Sequence, residues 1–279
     1  MLARRVLCFW LSVIFQSWLV VEMAKSGSCP SEKDRADDLV AAARLLMRND
    51  RNDEARACLE LAVAKAPNYV PGLVELGTLA SKQQDYSAAV THLAQGARLE
   101  VTPQALNNLA IAYQELGEHV SAVSVYRRAL KLDEDDPAAH YNLGTALERA
   151  GEYRAAVKAY REAIELEPEE AKYYNNMGGS LAAYNKTETA ERSYKWAIKL
   201  KPKFVDAYYN LGNLLLATGN VEGAIERLEQ ALRIDPSHAR ASAKLQDAQK
   251  QLEDKVEAFK GQVDEAIEKA QKMMRRGEL

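Results

Sequence analysis

The sequence has few of the residues that cross-link or interrupt a fold. Among 279 residues there are three cysteines, eight prolines and fourteen glycines. Three cysteines are too few for a disulfide framework, and so little proline and glycine excludes a chain dominated by turns or flexible linkers. Positive charge is not in surplus either, because the net charge is −3. Nucleic-acid binding, which requires clustered Lys and Arg, is therefore not expected.

Catalytic signatures are also missing. The sequence contains no Gly-x-Ser-x-Gly elbow, no phosphate-binding glycine-rich loop with Lys, no His-Glu-x-x-His and no paired-cysteine zinc spacing. The four histidines fall at unrelated places, namely His92, His119, His140 and His238. We therefore expect a protein that is not an enzyme and that uses no cofactor or metal.

The longest apolar run lies near the N-terminus. Arg4 and Arg5 precede the apolar residues 6–21, and small residues follow. This order is typical of a secretory signal peptide, here residues 1–24, followed by a linker over residues 25–35. The run exceeds a usual signal core, so an uncleaved signal anchor stays open as the alternative, with membrane contact only through residues 6–21. Because positive residues stay on the cytosolic side, both interpretations place the body across the membrane.

Translocation would place the body in the ER lumen or secretory pathway, or in a periplasmic or extracellular space. Asn185-Lys186-Thr187 is an N-glycosylation acceptor that would be used only in the secretory pathway. The C-terminus Arg-Gly-Glu-Leu is similar to a Lys-Asp-Glu-Leu retention signal, but Gly replaces Asp. In an oxidising compartment Cys29 and Cys58 could form a disulfide; alternatively, Cys58 is a small packing residue of a helix.

Self-similarity at a period of 34 residues is the strongest signal in the chain. Segments 103–136, 137–170, 171–204 and 205–238 align without gaps, with Leu or Met at position 7, a small residue at position 8 and Ala at positions 20 and 27. Position 8 is occupied in turn by Ala110, Gly144, Gly178 and Gly212. Position 20 is Ala122, Ala156, Ala190 and Ala224, and position 27 is Ala129, Ala163, Ala197 and Ala231.

This pattern resembles the tetratricopeptide-repeat (TPR) family. Two weaker copies, 36–69 and 70–102, bring the array to six repeats over residues 36–238. The resemblance implies an all-α fold, in which antiparallel helix pairs stack into a right-handed TPR superhelix. The repeats of this chain resemble the TPR recognition region of O-GlcNAc transferase, and the catalytic domain of that enzyme has no counterpart in the sequence.

The residues between the two apolar stretches of each copy support the same fold independently. Position 15 calls for a left-handed backbone conformation, which Gly adopts without cost and Asn tolerates. The residues there are Gly117, Gly151, Asn185 and Gly219. A proline ends the second helix of three copies, at Pro168, Pro202 and Pro236. Each hairpin has too much apolar surface to stand alone and must stack on its neighbours.

One long helix is predicted over residues 239–276, where no proline occurs. Its first part carries Ala241, Leu245, Ala248 and Leu252, a stripe suited to capping the last repeat. Its second part carries the seam of a short coiled coil, at Val256, Phe259, Val263, Ala266, Ala270 and Met273. The second part could fold back along the solenoid, or could bind a partner or a second copy of the chain.

Position 6 holds the main candidate binding residues. It is asparagine in four consecutive copies, namely Asn108, Asn142, Asn176 and Asn210. A side-chain amide offers a donor and an acceptor, which complements a peptide backbone. The TPR resemblance places these residues on the concave face and implies an asparagine ladder for an extended polypeptide. Asparagine at this position could instead serve only in capping or packing.

Two tyrosines at the neighbouring position 5 are further candidates. Tyr141 and Tyr209 could contact a bound peptide through ring and hydroxyl, or could pack on the next repeat. A carboxylate clamp of the kind found in other TPR proteins is rejected, because the required Lys residues are absent. We thus predict a non-catalytic scaffold or adaptor that binds an extended polypeptide segment. The alternatives are a self-associating assembly factor, or an accessory subunit that recruits substrate to a separate enzyme.

Overall fold

The computed structural model describes residues 35–276, and within that range all regular structure is α-helical. The predicted signal segment and linker lie outside the described residues, apart from Arg35, as does the C-terminal Gly-Glu-Leu. The helices are α1 (Ala36–Arg48), α2 (Asn52–Lys65), α3 (Val70–Lys82), α4 (Tyr86–Leu99), α5 (Pro103–Glu115), α6 (His119–Leu130), α7 (Pro137–Arg149), α8 (Tyr153–Leu166), α9 (Ala171–Ala183), α10 (Thr187–Leu200), α11 (Val205–Ala217), α12 (Val221–Ile234) and α13 (Ala239–Arg276).

The helices form two compact units, with α1–α7 in the first and α8–α13 in the second. Within each unit, every helix packs against the next one along the chain. The odd-numbered helices, which are the first helices of the repeats, also contact one another: α1 with α3, α3 with α5, α5 with α7, α9 with α11 and α11 with α13. Among the described helices of a unit, the even-numbered ones make no such contacts. The first helices therefore line the inner side of each unit.

The turn inside each repeat adopts the left-handed conformation that the sequence predicts. Gly117, Gly151 and Gly219 have φ of +80 to +86°, and Asn185 has φ of +58°. The two N-terminal repeats place Asp50 and Gln84 at the same position, with φ of +58° and +64°. The left-handed turn therefore recurs in repeats where the residue type does not predict it.

Small residues bring the two helices of a repeat into close contact. A Cβ atom added to Gly178 would lie 2.7 Å from Cε1 of Tyr194, and one added to Gly212 would lie 2.8 Å from Cγ of Leu228. The alanines at positions 20 and 27 are fully buried, with relative exposures of 0–1%. The prediction that positions 8, 20 and 27 permit close helix packing is confirmed.

Helix α13 has two halves with different environments. Ala241 and Ala248 are fully buried, and Leu245 and Leu252 pack beside them against α11 and α12. Beyond Leu252 the helix is exposed, and the fold-back interpretation is wrong for the described residues. The reason is length: 38 residues make a helix of about 57 Å, whereas a neighbour of 14 residues is about 21 Å long.

Cys58 belongs to the core of the first unit. It lies on α2, has no exposed surface and packs among Leu39, Leu46 and Leu59. It is also disulfide-bonded, and its partner lies outside the described residues. The Cys29–Cys58 pairing therefore stays a prediction.

Candidate functional site

The asparagines of position 6 are distributed over four first helices. Asn108 and Asn142 lie on α5 and α7 of the first unit, and Asn176 and Asn210 lie on α9 and α11 of the second unit. All four are half-buried. Because α5 contacts α7 and α9 contacts α11, each unit holds two of these amides on neighbouring first helices.

The amides of the first unit have few intramolecular hydrogen bonds. Oδ1 of Asn108 accepts from Nε2 of Gln104, one turn earlier on the same helix, at 3.0 Å. No hydrogen bond joins the side chain of Asn142 to another residue in the described part of the chain. Both amides therefore keep hydrogen-bonding capacity for a ligand, since each offers two N–H donors and an acceptor.

Asn107, which precedes Asn108, has a structural role instead. Its Nδ2 donates to Oδ2 of Asp136 at 3.1 Å. The other oxygen of Asp136 accepts from the backbone N–H groups of Ala138 and Ala139 and so caps the N-terminus of α7. Asn107 thereby ties α5 to the beginning of the next first helix.

The amides of the second unit are linked through a residue to which the sequence assigns no role. Nδ2 of Asn210 donates to Oδ1 of Asn175 at 3.1 Å, and Nδ2 of Asn175 donates to Oδ1 of Asn176 at 3.1 Å. Asn175 is only 7% exposed, and a buried amide must find partners. This chain of three amides connects α9 with α11 and fixes the orientation of Asn176 and Asn210.

One of the two candidate tyrosines, Tyr209, packs beside the start of the C-terminal helix. The ring of Tyr209 lies 5.3 Å from the ring of His238, and the guanidinium of Arg240 lies 5.2 Å from its centroid. Tyr209 thus packs against the beginning of α13, which favours the packing interpretation over ligand contact. Tyr141 is half-buried on α7, beside Asn142.

Asn185 occupies the turn between α9 and α10 and is exposed. Its backbone is left-handed, with φ of +58°, and it lies in the turn that joins the two helices of the repeat. Glycosylation of this residue stays a prediction.

Other chemistry-bearing groups do not converge. Residues 35–276 contain no cluster of three His, Cys, Asp or Glu side chains arranged to hold a metal ion. Burial lowers the pKa of His92 below its ordinary value, and burial also raises the pKa of Tyr126. In the same range no helix has the length and apolarity to cross a membrane.

Comparisons with known proteins agree with this geometry. Family models described as TPR repeat and tetratricopeptide repeat match residues 112–151, 137–170 and 176–239. A search of curated proteins finds no match.

Solved structures of TPR architecture are similar to this chain. The APC/C hetero-tetramer Cut9–Hcn1 matches 82% of it at 17% identity with a TM-score of 0.60, and this chain covers 48% of that one. YrrB, described as a TPR protein with an unusual peptide-binding site, matches 66% at 21% identity with a TM-score of 0.55 and is covered over 96% of its length. MamA from Desulfovibrio magneticus RS-1 matches 61% at 21% identity with a TM-score of 0.57, covered over 96%. At these identities the likeness is one of fold.

Proposed function

Because this chain is a tetratricopeptide-repeat protein, we propose that it is a non-catalytic scaffold that binds an extended polypeptide segment of another protein. The binding surface is the first-helix face of each unit, which carries Asn108 and Asn142 in the first unit and Asn176 and Asn210 in the second. The matched repeat families and the similar structures support a protein-interaction scaffold. YrrB is described as having a peptide-binding site, and Cut9–Hcn1 is an assembly of several chains.

The observation that carries the proposal is the half-buried amide pair of the first unit. The side-chain amide of Asn142 has no intramolecular hydrogen bond among the described residues, and that of Asn108 has one, to Gln104. An extended peptide presents one N–H and one C=O per residue, and an amide side chain can satisfy both at once. Amides that repeat from one first helix to the next can therefore hold a peptide through its backbone, with little dependence on its sequence.

The test compares capture by three forms of the full-length chain. The variant Asn108→Ala with Asn142→Ala removes both amides without touching the buried network around Asn175. The control Asn68→Ala removes an exposed asparagine from the turn between α2 and α3, outside the first helices. Affinity purification followed by mass spectrometry identifies the chains retained by each form, and far-UV circular dichroism verifies helicity.

We expect the wild type and the control to retain the same partner and the double variant to lose it at unchanged helicity. Equal retention by all three forms would show that the two amides are not part of the binding surface. A captured enzyme would favour the accessory-subunit alternative, in which the scaffold recruits substrate to a separate catalytic chain.

A translocated location is part of the proposal. It is supported by the order of charges around residues 6–21 and by the disulfide-bonded state of Cys58, since disulfides persist in oxidising compartments. The partner is then expected among secreted, lumenal or periplasmic proteins.

Self-association is a second candidate function, favoured by the distal half of α13. Val256, Phe259, Val263 and Ile267 are 40–67% exposed although they are large and apolar. Val256, Phe259 and Val263 belong to the seam of alternating three- and four-residue spacing that fits a two-stranded coiled coil with a second copy, and Ile267 lies beside that seam. Removing residues 254–279 should convert a dimer to a monomer in light scattering; a full-length chain that is already monomeric excludes this function.

A further inference from the structure

A groove on the second unit is lined by four positively charged side chains. Arg154, Lys158 and Arg161 project from α8, and Lys186 projects from the turn between α9 and α10. The groove has a volume of ≈ 400 Å³. No carboxylate is among its lining residues. This surface is called the basic groove below.

The spacing along α8 places three of these charges on one face. Residues four and seven positions after Arg154 share its side of the helix, so Arg154, Lys158 and Arg161 form a row about 10 Å long. Lys186 approaches from the neighbouring turn. Four like charges in one groove repel one another, and like-charge pairs at this spacing destabilise a helix slightly.

The charges of the basic groove are not neutralised within the described part of the chain. None of the four side chains forms an ion pair there, although Glu162 and Glu165 lie on the same helix. Elsewhere in the second unit such pairs form readily, as between Lys195 and Glu191 at 2.7 Å. The basic groove is therefore a concentrated positive field on a protein whose net charge is −3.

An apolar floor lies beneath the charges. Val157 and Leu181 are 7% and 4% exposed and form the bottom of the groove, while the ring of Tyr184 is 42% exposed at its side. A second cavity of ≈ 560 Å³ shares Arg154, Lys158 and Tyr184 with the groove and extends it towards Glu152. Apolar floor, aromatic wall and cationic rim together suit a peptide with acidic side chains better than a small ion.

We propose that the basic groove binds an extended, Asp- and Glu-rich segment of a partner protein. Side chains on one face of an extended chain repeat every ~6.7 Å, whereas Arg154 and Lys158 are separated by about 6 Å along the helix axis. Acidic residues at alternate positions can thus face Arg154 and Lys158, with Arg161 one turn further along α8, while the backbone rests on the apolar floor. The groove is built from α8, the end of α9, the turn that follows and the start of α10. None of the four position-6 asparagines lines it, so the proposal is independent of the first-helix amides.

The test uses the full-length chain and a fluorescein-labelled peptide of about twelve residues in which Glu alternates with Ser. Binding is measured by fluorescence anisotropy. The groove variant is Lys158→Gln with Arg161→Gln, and the matched control is Arg192→Gln with Lys203→Gln. The control removes the same net charge from exposed positions of the second unit outside the groove. A peptide with Gln in place of every Glu serves as the neutral probe.

We expect the groove variant to bind the acidic peptide about tenfold more weakly than the wild type, since each exposed charge pair contributes a factor of a few. The control should bind as the wild type does, and the neutral peptide should not bind. Raising the salt concentration should weaken binding as screening shortens the range of the field.

Three results would overturn the proposal. One is equal affinity of the wild type and the groove variant, and another is equal weakening by groove and control variants. The third is displacement of the peptide by inorganic phosphate under conditions where sodium chloride of equal ionic strength has no effect, because this would define an oxyanion site. None of these results depends on Asn108 or Asn142, so failure here leaves the amide surface untouched.

Discussion

Replacing Gly178 by Ala tests how tightly the helices of a repeat are packed. Gly178 lies in the interior of α9, where Ala is more favourable than Gly by about 1 kcal/mol through helix propensity alone. The added Cβ atom would, however, lie 2.7 and 2.8 Å from two ring carbons of Tyr194. Ordinary carbon–carbon contacts lie at about 3.5–4.0 Å, so the ring or the helix must move by about 1 Å.

The expected magnitude follows from these two opposing effects. Overpacking of a core costs about 1–3 kcal/mol. Ala110 occupies the same repeat position in the helix pair that contains Tyr126, so an Ala there can be accommodated by a wider helix spacing. The cost should therefore be moderate, and we expect Gly178→Ala to lower the free energy of unfolding by about 1 kcal/mol after the propensity gain is included.

Gly261→Ala is the matched control, because nothing lies within 4 Å of a Cβ atom added to that glycine of α13. It should gain about 1 kcal/mol of local helix stability. Urea unfolding followed by circular dichroism, on the same full-length chain, compares both variants with the wild type. Gly261→Ala should raise the helical signal before the main transition, whereas Gly178→Ala should lower the unfolding midpoint. A midpoint raised by Gly178→Ala would refute the close contact between α9 and α10.

Three further predictions concern protonation, modification and the amide network. Burial lowers the pKa of His92 from 6.5, so the unfolded chain binds the proton first and the free energy of unfolding should fall as pH drops below about 6.5. His92→Gln should reduce this loss, measured as the difference between the urea midpoints at pH 7.5 and 5.5. An unchanged difference would contradict a role for His92. In a eukaryotic secretory host, enzymatic deglycosylation should lower the mass of the wild type but not of Thr187→Ala, whereas an unmodified secreted wild type would exclude a glycan on Asn185. Asn175→Ala should destabilise the second unit by about 1–3 kcal/mol, because it removes the part-buried hydrogen bonds to Asn176 and Asn210. A cost no larger than that of Asn213→Ala, at an exposed position of α11, in urea unfolding would speak against the network.

Features that repeat every 34 residues are the part of this fold that a single sequence predicts well. The left-handed turn is local, so Gly117 and Gly219 indicate it directly. The same turn at Asp50 and Gln84 is visible only through the register of the repeats, because neither residue type demands a positive φ. The buried alanines are predictable for the same reason, since position fixes their environment.

Contacts between residues distant in sequence could not be predicted. The sequence shows Asn175 beside Asn176, but only the packing of α9 on α11 brings Asn210 within 3.1 Å of Asn175. Tyr209 packs beside His238 and Arg240, residues about 30 positions later in the sequence, and the repeat pattern does not predict these contacts. Lys186 lies beside the cationic side chains of α8 only because the turn before α10 brings it there, and the sequence does not show this proximity.

The most direct test of the scaffold account is the affinity of one captured partner for the full-length chain, measured by isothermal titration calorimetry. With a net loss of about 1 kcal/mol for each amide removed, the variant Asn108→Ala with Asn142→Ala should bind roughly 30-fold more weakly. Asn68→Ala, which lies outside the first helices, should bind as the wild type does. Equal affinity of all three forms, at equal helicity, would contradict the claim that the first-helix amides hold the partner.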